Sequence, residues 1–170
     1  MSKILITGGH LTPALALIDY CQSQPEIASQ LEFVFAGREW AQAVDGQKSW
    51  EKTEVSRRQI KFINFAAVKT GAFDLGGFFQ SFLQAKKILQ TEKVDLLLSF
   101  GGYLALPFAL AASDLKIPLI THEQTRVLGR ANRLIAALAD KLAVSFPHTS
   151  SLFLRKTIVT GNPLRPAIFA

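Results

Sequence analysis

The sequence predicts an α/β fold in which a mostly parallel sheet carries helices on both faces. Short runs of branched and apolar residues alternate with segments of helical periodicity, a pattern typical of parallel sheets with crossover helices. The chain has 170 residues, of which 49% are hydrophobic, enough for one domain with a substantial core. Glycine-rich and polar segments follow several of the apolar runs, where ligands bind in such sheets.

Seven apolar runs are the predicted strands, because each is short and rich in branched or apolar residues. In chain order they are Lys3–Thr7, Glu32–Ala36, Ile60–Phe65, Val94–Phe100, Pro118–His122, Leu142–Phe146 and Ile158–Thr160.

Five segments have helical patterns, and the first of them has the clearest start. Thr12 is a suitable N-cap, Pro13 would then occupy the first helical position, and Pro25 follows the expected end. The polar segment Val44–Arg58 is predicted to be a loop with a weak helix. The predicted helices are Pro13–Cys21, Glu39–Ala43, Leu75–Glu92, Leu106–Leu115 and Leu128–Ala139.

The formal net charge is +6, and the basic excess is concentrated after Thr121, where there are seven Lys and Arg against two Asp and Glu. A basic region of this kind suits a phosphate, an anionic membrane surface or nucleic acid. Arg126, Arg130 and Arg133 have helical spacing and are interpreted as a solvated face. Because no nucleic-acid motif accompanies them, we expect no nucleic-acid partner.

The lone cysteine, Cys21, excludes an internal disulfide framework and fits a reducing cytoplasm. We expect it to be a small core residue of the first helix. The first apolar run is too short for a signal peptide. The uncharged stretch Leu96–Ser113 contains a glycine pair and Pro107, so a strand, loop and helix are predicted there instead of a membrane span.

Polar residues gather after the strands of the predicted sheet. Because parallel strands end at one edge, these residues should line a shared crevice. A glycine pair after one strand is often only a tight turn, but two pairs on one edge favour close approach of the backbone to a ligand. The segments are Thr7-Gly8-Gly9-His10, Gly101-Gly102-Tyr103, His122-Glu123-Gln124-Thr125, Pro147-His148 and Thr160-Gly161-Asn162-Pro163-Leu164-Arg165.

Two of these side chains carry the main chemical expectations. Glu123 follows an apolar strand directly, so its partly desolvated carboxylate needs a partner or a task. His148 is expected to be an ordinary surface histidine.

A dinucleotide site is the alternative at the first loop, but the third glycine of that motif is missing and no acidic residue closes the second strand, which ends in Gly37-Arg38.

Four segments together resemble the amino-terminal half of the MurG family, the UDP-N-acetylglucosamine transferases of peptidoglycan synthesis. Their order and spacing agree over essentially the whole chain, and the combination of "GGY", "HEQ" and "ANRLIA" is the most specific feature. The segments are "TGGHLTPALAL", "SFGGYLALPFALAA", "ITHEQTRVLGRANRLIA" with "LAVSFP", and "VTGNPLR".

The resemblance implies a GT-B architecture, in which two Rossmann-like domains face a cleft. Residues 1–170 would be the N-terminal domain that holds the lipid-linked acceptor, and the donor-binding C-terminal domain would be absent from this chain. The chain would then be either a truncated fragment or a natural subunit of a split enzyme. The isolated half is expected to be inactive, to need no cofactor or metal, and to work at the inner face of the bacterial plasma membrane.

The sequence departs from the family pattern at three loops. The first loop is shorter than the family's G-G-T-G-G-H, Thr125 stands where the family has asparagine, and Ala105 follows "GGY" where serine is usual. These changes remove polar contacts, so they bear on donor and acceptor specificity.

The implied reaction moves N-acetylglucosamine from UDP to a hydroxyl of undecaprenyl-pyrophosphoryl-muramyl-pentapeptide with inversion. His10 is the first candidate for the base, because the unperturbed pKa of histidine lies near working pH, and Glu123 is the second. Otherwise Glu123 would orient His10 or bind a sugar hydroxyl. The predicted substrate-binding residues are Thr7, Gly8, Gly9, Gly101, Gly102, Tyr103, Gln124, Thr125, Asn162 and Arg165.

A lipid acceptor requires contact with the membrane, and the helix after Gly71 is the candidate. Four apolar residues follow the spacing i, i+3, i+4, i+7 on one face, and two lysines come next. The face is either core or an interfacial patch on anionic lipid. The predicted patch consists of Leu75, Phe78, Phe79, Phe82, Lys86 and Lys87. A noncatalytic recruiting subunit and a nucleotide-binding oxidoreductase or epimerase domain stay as alternatives.

Overall fold

The computed structural model describes residues 1–40, 47–66, 74–149, 153–165 and 168. Within these ranges, all seven predicted strands are present, with ends that differ by at most two residues from the predictions. They are β1 (Ser2–Thr7), β2 (Leu31–Gly37), β3 (Lys61–Asn64), β4 (Leu96–Ser99), β5 (Leu119–Glu123), β6 (Lys141–Val144) and β7 (Thr157–Val159).

The seven strands form one parallel sheet in the order β3-β2-β1-β4-β5-β6-β7. The chain therefore starts in the middle of the sheet, builds outward to β3, and returns to β4 on the other side of β1. In register, Thr7 lies between Ala36 and Ser99, and Ser99 lies beside Thr121. The carboxyl ends of the central strands consequently meet at one edge, where the strand order reverses.

Six helices are described, and all but the short α2 correspond to a predicted helix or to the predicted weak helix. They are α1 (Leu11–Ser23), α2 (Pro25–Ala28), α3 (Trp50–Arg57), α4 (Leu75–Thr91), α5 (Ala105–Leu115) and α6 (Arg130–Leu138), with a 3-10 turn at Leu154–Lys156 before β7.

The prediction for the start of α1 was wrong by two residues. The helix begins at Leu11, His10 occupies the N-cap position without a side-chain cap, and Pro13 is the third helical residue. Proline is tolerated there because the first turn of a helix has no internal acceptor for its N–H groups. The N-cap prediction for Thr12 is therefore wrong as well, since Thr12 lies inside the first turn.

A helix was predicted at Glu39–Ala43, but its first two residues, Glu39 and Trp40, are not helical. Residues 41–43 lie outside the described ranges. The Glu39 amide donates to Asn64 Oδ1 at 3.2 Å, and its carbonyl accepts from Ser49 at 2.8 Å. Trp40 forms an isolated antiparallel bridge with Lys48. These contacts hold the segment in a non-helical form, and α3 follows where a weak helix was predicted.

Each face of the sheet has its own core, because successive strand residues point to opposite faces. On one face, Leu5 and Leu97 pack under α4, α5 and α6, together with Leu89 and Phe108. The other face packs under α1 and α3. Its buried residues include Ile4, Ile6, Leu15, Ile18, Phe35, Val55, Leu98 and Phe100.

The expectations for Cys21 and for the uncharged stretch are confirmed. Cys21 is buried on α1, and burial raises the pKa of its thiol. Residues 96–113 form β4, the glycine loop and most of α5. Among the described helices, none combines the length and apolar character that crossing a bilayer would require.

Candidate functional site

The loops at the carboxyl edge of the sheet are joined by direct hydrogen bonds. The Gly9 amide donates to the Gly101 carbonyl at 2.8 Å, which links the loops after β1 and β4. The amide of Gln124 lies 2.7 Å from His10 Nδ1, which links the loops after β5 and β1. His122 Nε2 lies 3.2 Å from the Gly161 carbonyl, which adds the segment after β7. The structure thus brings together four of the five segments that the sequence singled out.

The two glycine pairs pack backbone against backbone. A Cβ atom at Gly8 would lie 2.7 Å from the Phe100 backbone, and one at Gly102 would lie 2.9 Å from the Gly9 nitrogen. Gly102 also has a φ of +80°, which favours glycine. The amides of Gly9 and Gly101 are used inside the protein, by the Gly101 carbonyl and by Ser99 Oγ. A diphosphate at this edge would therefore depend on other N–H groups.

Replacing Gly102 by alanine should lower the free energy of unfolding by about 2 to 3 kcal/mol, because the substitution combines backbone strain with a backbone clash. Gly161→Ala is the matched control. Gly161 has a φ of +75°, but a Cβ atom added there would meet nothing within 4 Å, so only the strain of about 1 kcal/mol remains. Urea denaturation of both variants measures the difference, and equal losses would contradict the close packing of the loops.

Glu123 is the centre of a buried hydrogen-bond network. Its Oε1 atom accepts from the amide of Thr125 at 3.0 Å and from the hydroxyl of the same residue at 2.7 Å. Its Oε2 atom accepts from the Gly129 amide at 3.1 Å and from Asn132 Nδ2 at 3.0 Å. The carboxylate thereby ties the end of β5 to the loop that leads into α6.

The four hydrogen bonds decide the protonation of Glu123. Burial on its own raises the pKa of a carboxyl group, but the bonds from Asn132, Thr125 and Gly129 stabilise the anion and leave the pKa of Glu123 below its ordinary value. Glu123 is therefore an ionised acceptor that is already saturated with donors. This geometry supports its role in holding the loop more than a role in taking a proton.

Asn132 is a site residue for which the sequence analysis gave no role. Its Nδ2 atom also donates to the His122 carbonyl at 3.1 Å, and its Oδ1 atom accepts from the Thr121 hydroxyl at 2.9 Å. The amide is buried under Gly101, whose Cβ would lie 2.9 Å from Nδ2. The sequence did contain a signal for Asn132, because it has helical spacing to the apolar residues Leu128, Ile135 and Ala136. An amide on an apolar face that is buried needs hydrogen-bond partners.

His122 is buried at the same edge, with its ring 5.6 Å from the ring of Phe100. Nδ1 has no hydrogen-bond partner among the described residues. Burial lowers the pKa of His122, and the hydrogen bond to the Gly161 carbonyl only partly opposes this. The ring is therefore neutral in the folded protein at a pH where it would be protonated in the unfolded chain.

This difference makes stability depend on pH. As the pH falls below the ordinary histidine pKa of 6.5, His122 is protonated in the unfolded chain but stays neutral in the folded protein. The free energy of unfolding therefore decreases with falling pH until the lower pKa of the folded protein is reached. His122→Gln keeps a donor for Gly161 but cannot titrate. We expect the loss of stability between pH 7.5 and 5.5 to be smaller in this variant. Urea titrations at both pH values check this, with His148→Gln as the exposed-histidine control, and parallel losses would contradict it.

Tyr103 and Arg38 form a second polar contact at this edge. The Arg38 guanidinium carbon lies 4.8 Å from the centre of the Tyr103 ring, a cation–π arrangement. Tyr103 is 39% exposed. The contact connects the end of β2 with the loop after β4. From the sequence, Arg38 was only a residue that does not fit a dinucleotide site, and its position beside Tyr103 was not predicted.

The other predicted residues are less closely grouped. Thr7 is buried, and its hydroxyl has no partner among the described residues. Asn162 is exposed. Arg165 is half-buried with Nε unpaired within the described part of the chain. Its charge contributes, after the hydrogen bond from Arg58, to lowering the pKa of Glu54 on α3. In the described part of the chain, no hydrogen bond or ion pair joins Arg165 to His10 or Glu123.

The helices that begin at this edge differ in their capping. α3 and α4 are capped by the side chains of Ser49 and Asp74. α1, α5 and α6 have no side-chain cap and no acidic residue in the first turn. The start of α6 is nevertheless offset by the Glu123 carboxylate, which accepts from the amide of its N-cap residue Gly129. The first-turn N–H groups and dipoles of α1 and α5 have no such side chain, which favours an anion at their starts.

Outside the carboxyl edge, the structure has a further cavity that could take a ligand. This cavity of about 480 Å³ lies near the start of β2 and the end of α3, at the opposite edge of the sheet, and its lining includes Gln22, Phe33 and Arg57. In the ranges that the structure describes, no three His, Cys, Asp or Glu side chains are grouped to hold a metal ion.

Residues 7–144 match the family described as the glycosyltransferase family 28 N-terminal domain. The chain is 34% identical over 161 residues to the UDP-N-acetylglucosamine--N-acetylmuramyl-(pentapeptide) pyrophosphoryl-undecaprenol N-acetylglucosamine transferase of Latilactobacillus sakei, covering 92% of this chain and 44% of the relative. It is 32% identical to the protein of the same name from Geobacter sulfurreducens, covering 98% and 46%. The chain thus spans less than half the length of these curated relatives.

Solved structures show the same fold. MurG of Acinetobacter baumannii superposes with a TM-score of 0.77 at 22% identity, covering all of this chain and 48% of that one. The UDP-GlcNAc 2-epimerase of Neisseria meningitidis, bound to UDP-GlcNAc, superposes with a TM-score of 0.66 at 17% identity, covering 95% and 46%. The predicted fold class is confirmed.

Proposed function

Because this chain belongs to the family of glycosyltransferase family 28 N-terminal domains, we propose that it is the acceptor-binding half of a GT-B glycosyltransferase. The reaction would move N-acetylglucosamine from UDP to undecaprenyl-pyrophosphoryl-muramyl-pentapeptide, as the names of its relatives indicate. The observation that carries the proposal is the position of His10. It lies at the edge where α1, α5 and α6 begin without caps, held by Gln124.

In this reaction His10 is the base. An inverting transfer needs a group that removes the proton of the acceptor hydroxyl as the sugar carbon is attacked from the opposite side to the leaving diphosphate. His10 is half-buried, so its ring is held by the protein and still reaches solvent. Glu123, with its four donors, acts indirectly by shaping the loop that carries Gln124 and Thr125.

The uncapped helices provide the electrostatic part of the site. N–H groups at the starts of α1 and α5 stabilise negative charge on a diphosphate. The Arg38 guanidinium, over the ring of Tyr103, adds a positive charge next to the same loops. The resemblance assigns UDP-N-acetylglucosamine contacts to Thr7, Gly8, Gly9, Thr125 and Arg165, and these remain part of the proposal.

The donor half completes the enzyme. In a GT-B arrangement the second domain holds most of the nucleotide-sugar, and this chain corresponds to less than half of its relatives. The isolated chain should therefore bind UDP-N-acetylglucosamine weakly or not at all and should bind the acceptor lipid on its own. Calorimetric titration of both ligands, with and without a donor domain, tests this. Tight donor binding by the isolated chain would contradict it.

Two other measurements, the turnover of a His10 variant and a titration with a nicotinamide cofactor, separate the alternatives. A noncatalytic recruiting subunit would bind the membrane and the donor chain, but its His10 would be dispensable for turnover. An oxidoreductase or epimerase domain would bind a nicotinamide cofactor, which can be titrated directly.

The exposed part of α4 is the proposed membrane contact. Leu75, Phe79 and Leu83 are 75%, 58% and 48% exposed and follow each other at four-residue spacing. Phe78 and Phe82 are half-buried, and Phe82 packs against the core. The predicted patch thus has two parts. Phe78 and Phe82 are partly buried, and Leu75 and Phe79, together with Leu83, form the exposed part. Lys87 is exposed nearby, whereas Lys86 pairs with Asp114 at 2.6 Å.

An exposed apolar line beside lysine suits the interface of an anionic membrane, and it would locate the enzyme peripherally on the inner face of the plasma membrane. Phe79→Ser with Leu83→Ser should weaken binding to vesicles containing anionic lipid by about tenfold or more, since about 0.8 kcal/mol is lost per CH₂ withdrawn from the apolar phase.

Vesicle co-sedimentation measures this effect. Gln80→Ser with Gln84→Ser is the matched control, because both glutamines are exposed on the same helix. Circular dichroism should show unchanged folding of both double variants. Equal vesicle binding by the two double variants would show that this part of α4 is not the membrane contact.

A further inference from the structure

We propose that Gln124 is the positioning residue of His10 and that its carboxamide determines which ring nitrogen of the histidine carries the proton. The inference rests on the proposed function only for its catalytic consequence. The pairing itself is a property of this chain and can be measured without any reaction. Its starting point is the 2.7 Å contact between Gln124 Nε2 and His10 Nδ1, two residues that are 114 positions apart.

Gln124 is held on both sides by the network around Glu123. The preceding residue is Glu123 itself, and the following residue, Thr125, donates to that carboxylate through its amide and its hydroxyl. The Thr125 carbonyl accepts from the Thr149 hydroxyl at 3.1 Å. The backbone on either side of Gln124 is therefore fixed, and the half-buried side chain has a defined direction toward the loop after β1.

The carboxamide can pair with the ring in two ways. With its nitrogen toward the ring, the amide donates to Nδ1, so a neutral His10 carries its proton on Nε2 and can only donate from there. With its oxygen toward the ring, the amide accepts from Nδ1–H, and Nε2 keeps a lone pair. Within the described ranges the Gln124 side chain has no other hydrogen bond, so turning the amide over costs none.

The structure places the amide nitrogen, Nε2, toward Nδ1, which is the first arrangement. Only the second arrangement, reached by turning the amide over, allows Nε2 of His10 to act as a base. When Nε2 takes a proton, the O–H bond of the acceptor hydroxyl breaks and an N–H bond forms, which leaves an imidazolium with protons on both nitrogens. The amide oxygen can accept from Nδ1–H of that cation, whereas an NH₂ group facing it would be repelled. Gln124 thus stabilises the protonated product of the step through its oxygen.

Other ionisable groups surround the ring. On β5, His122 is close enough for the charge of His10 to affect its pKa, and Glu123 is saturated by its four donors. Tyr103 follows the neighbouring glycine pair, and Arg38 lies over its ring. None of these groups is hydrogen-bonded to the His10 ring in the described structure, so Gln124 is the side chain that selects the tautomer.

Nitrogen NMR of the histidine rings in this 170-residue chain tests the proposal. In Gln124→Glu the carboxylate can only accept, so we expect His10 to hold its neutral-form proton on Nδ1 and to titrate about one pH unit higher than in the unsubstituted chain. In Gln124→Met the ring loses its partner, and its nitrogen shifts should approach those of exposed His148. Gln84→Met, on the surface of α4, is the control and should leave His10 unchanged.

Unchanged His10 nitrogen shifts and titration in both Gln124 variants would overturn the proposal, whatever the chain catalyses. A second readout uses this chain with a donor domain. There Gln124→Glu should move the acid limb of the kcat profile upward by about one pH unit and leave KM within a few-fold. If the NMR effects are found but no transfer occurs in any form, the proposed function fails while the pairing stands.

Discussion

Replacement of His10 by alanine should lower the turnover of the chain combined with a donor domain by roughly 100- to 10,000-fold, the range that general-base catalysis contributes. The half-buried His10 ring is held in place at the carboxyl edge by the contact with Gln124. Because the substitution removes a group that acts in the transition state, kcat should fall while KM changes little.

The measurement is the steady-state rate of N-acetylglucosamine transfer to the lipid acceptor. His148→Ala is the matched control, because His148 is exposed and follows β6 without a contact to the network. Turnover of the His10 variant within a few-fold of the unsubstituted enzyme would end its assignment as the base. Loss of folding is monitored separately, by circular dichroism.

Replacement of Glu123 by alanine should lower the free energy of unfolding by about 3 kcal/mol, because it leaves one buried donor and two part-buried amides without an acceptor. The amides of Thr125 and Gly129 and the Nδ2 group of Asn132 all lose their partner. Glu123→Gln should cost less but still destabilise, since its NH₂ group would face one pair of these donors. Urea denaturation gives the values, and Glu26→Ala, an exposed glutamate on α2, should change stability by less than about 0.5 kcal/mol.

The effect of Glu123 also has a defined pH dependence. Its pKa is lowered in the folded protein, so its contribution is fully present above the ordinary value of 4.5 and is lost as pH falls through the folded pKa. The difference between the unsubstituted protein and Glu123→Ala should therefore shrink below that pH. A variant as stable as the unsubstituted protein at pH 7 would show that the network has no structural role.

The strands were predictable from the sequence because a parallel sheet buried on both faces requires continuous apolar runs. Residues such as Leu5 and Ile6 point to opposite cores, so both must be apolar. Helix ends were less predictable. α1 begins at Leu11 although Thr12 and Pro13 favour a later start, because the first turn can form without a side-chain cap. Local capping preferences of about 1 kcal/mol do not decide such a boundary.

The site was predictable in its location and less so in its connections. Parallel strands end at one edge, so the residues following them had to be neighbours, and Gly9 with Gly101 illustrates this. The partner of each polar group depends on side-chain direction and loop geometry. The link from Asn132 to Glu123 and the contact of Gln124 with His10 join residues that no spacing rule pairs.

The transfer assay with separated halves tests the central claim most directly. It follows radiolabelled sugar from UDP-N-acetylglucosamine into the undecaprenyl-linked acceptor, using this chain alone, a donor domain alone, and the two together. We expect labelled lipid only when both are present, at a rate that the His10→Ala variant reduces by roughly 100-fold or more. Equal product from the donor domain without this chain, or a combined rate that is unaffected by His10→Ala, would contradict the role of this chain as the acceptor-binding and base-bearing half.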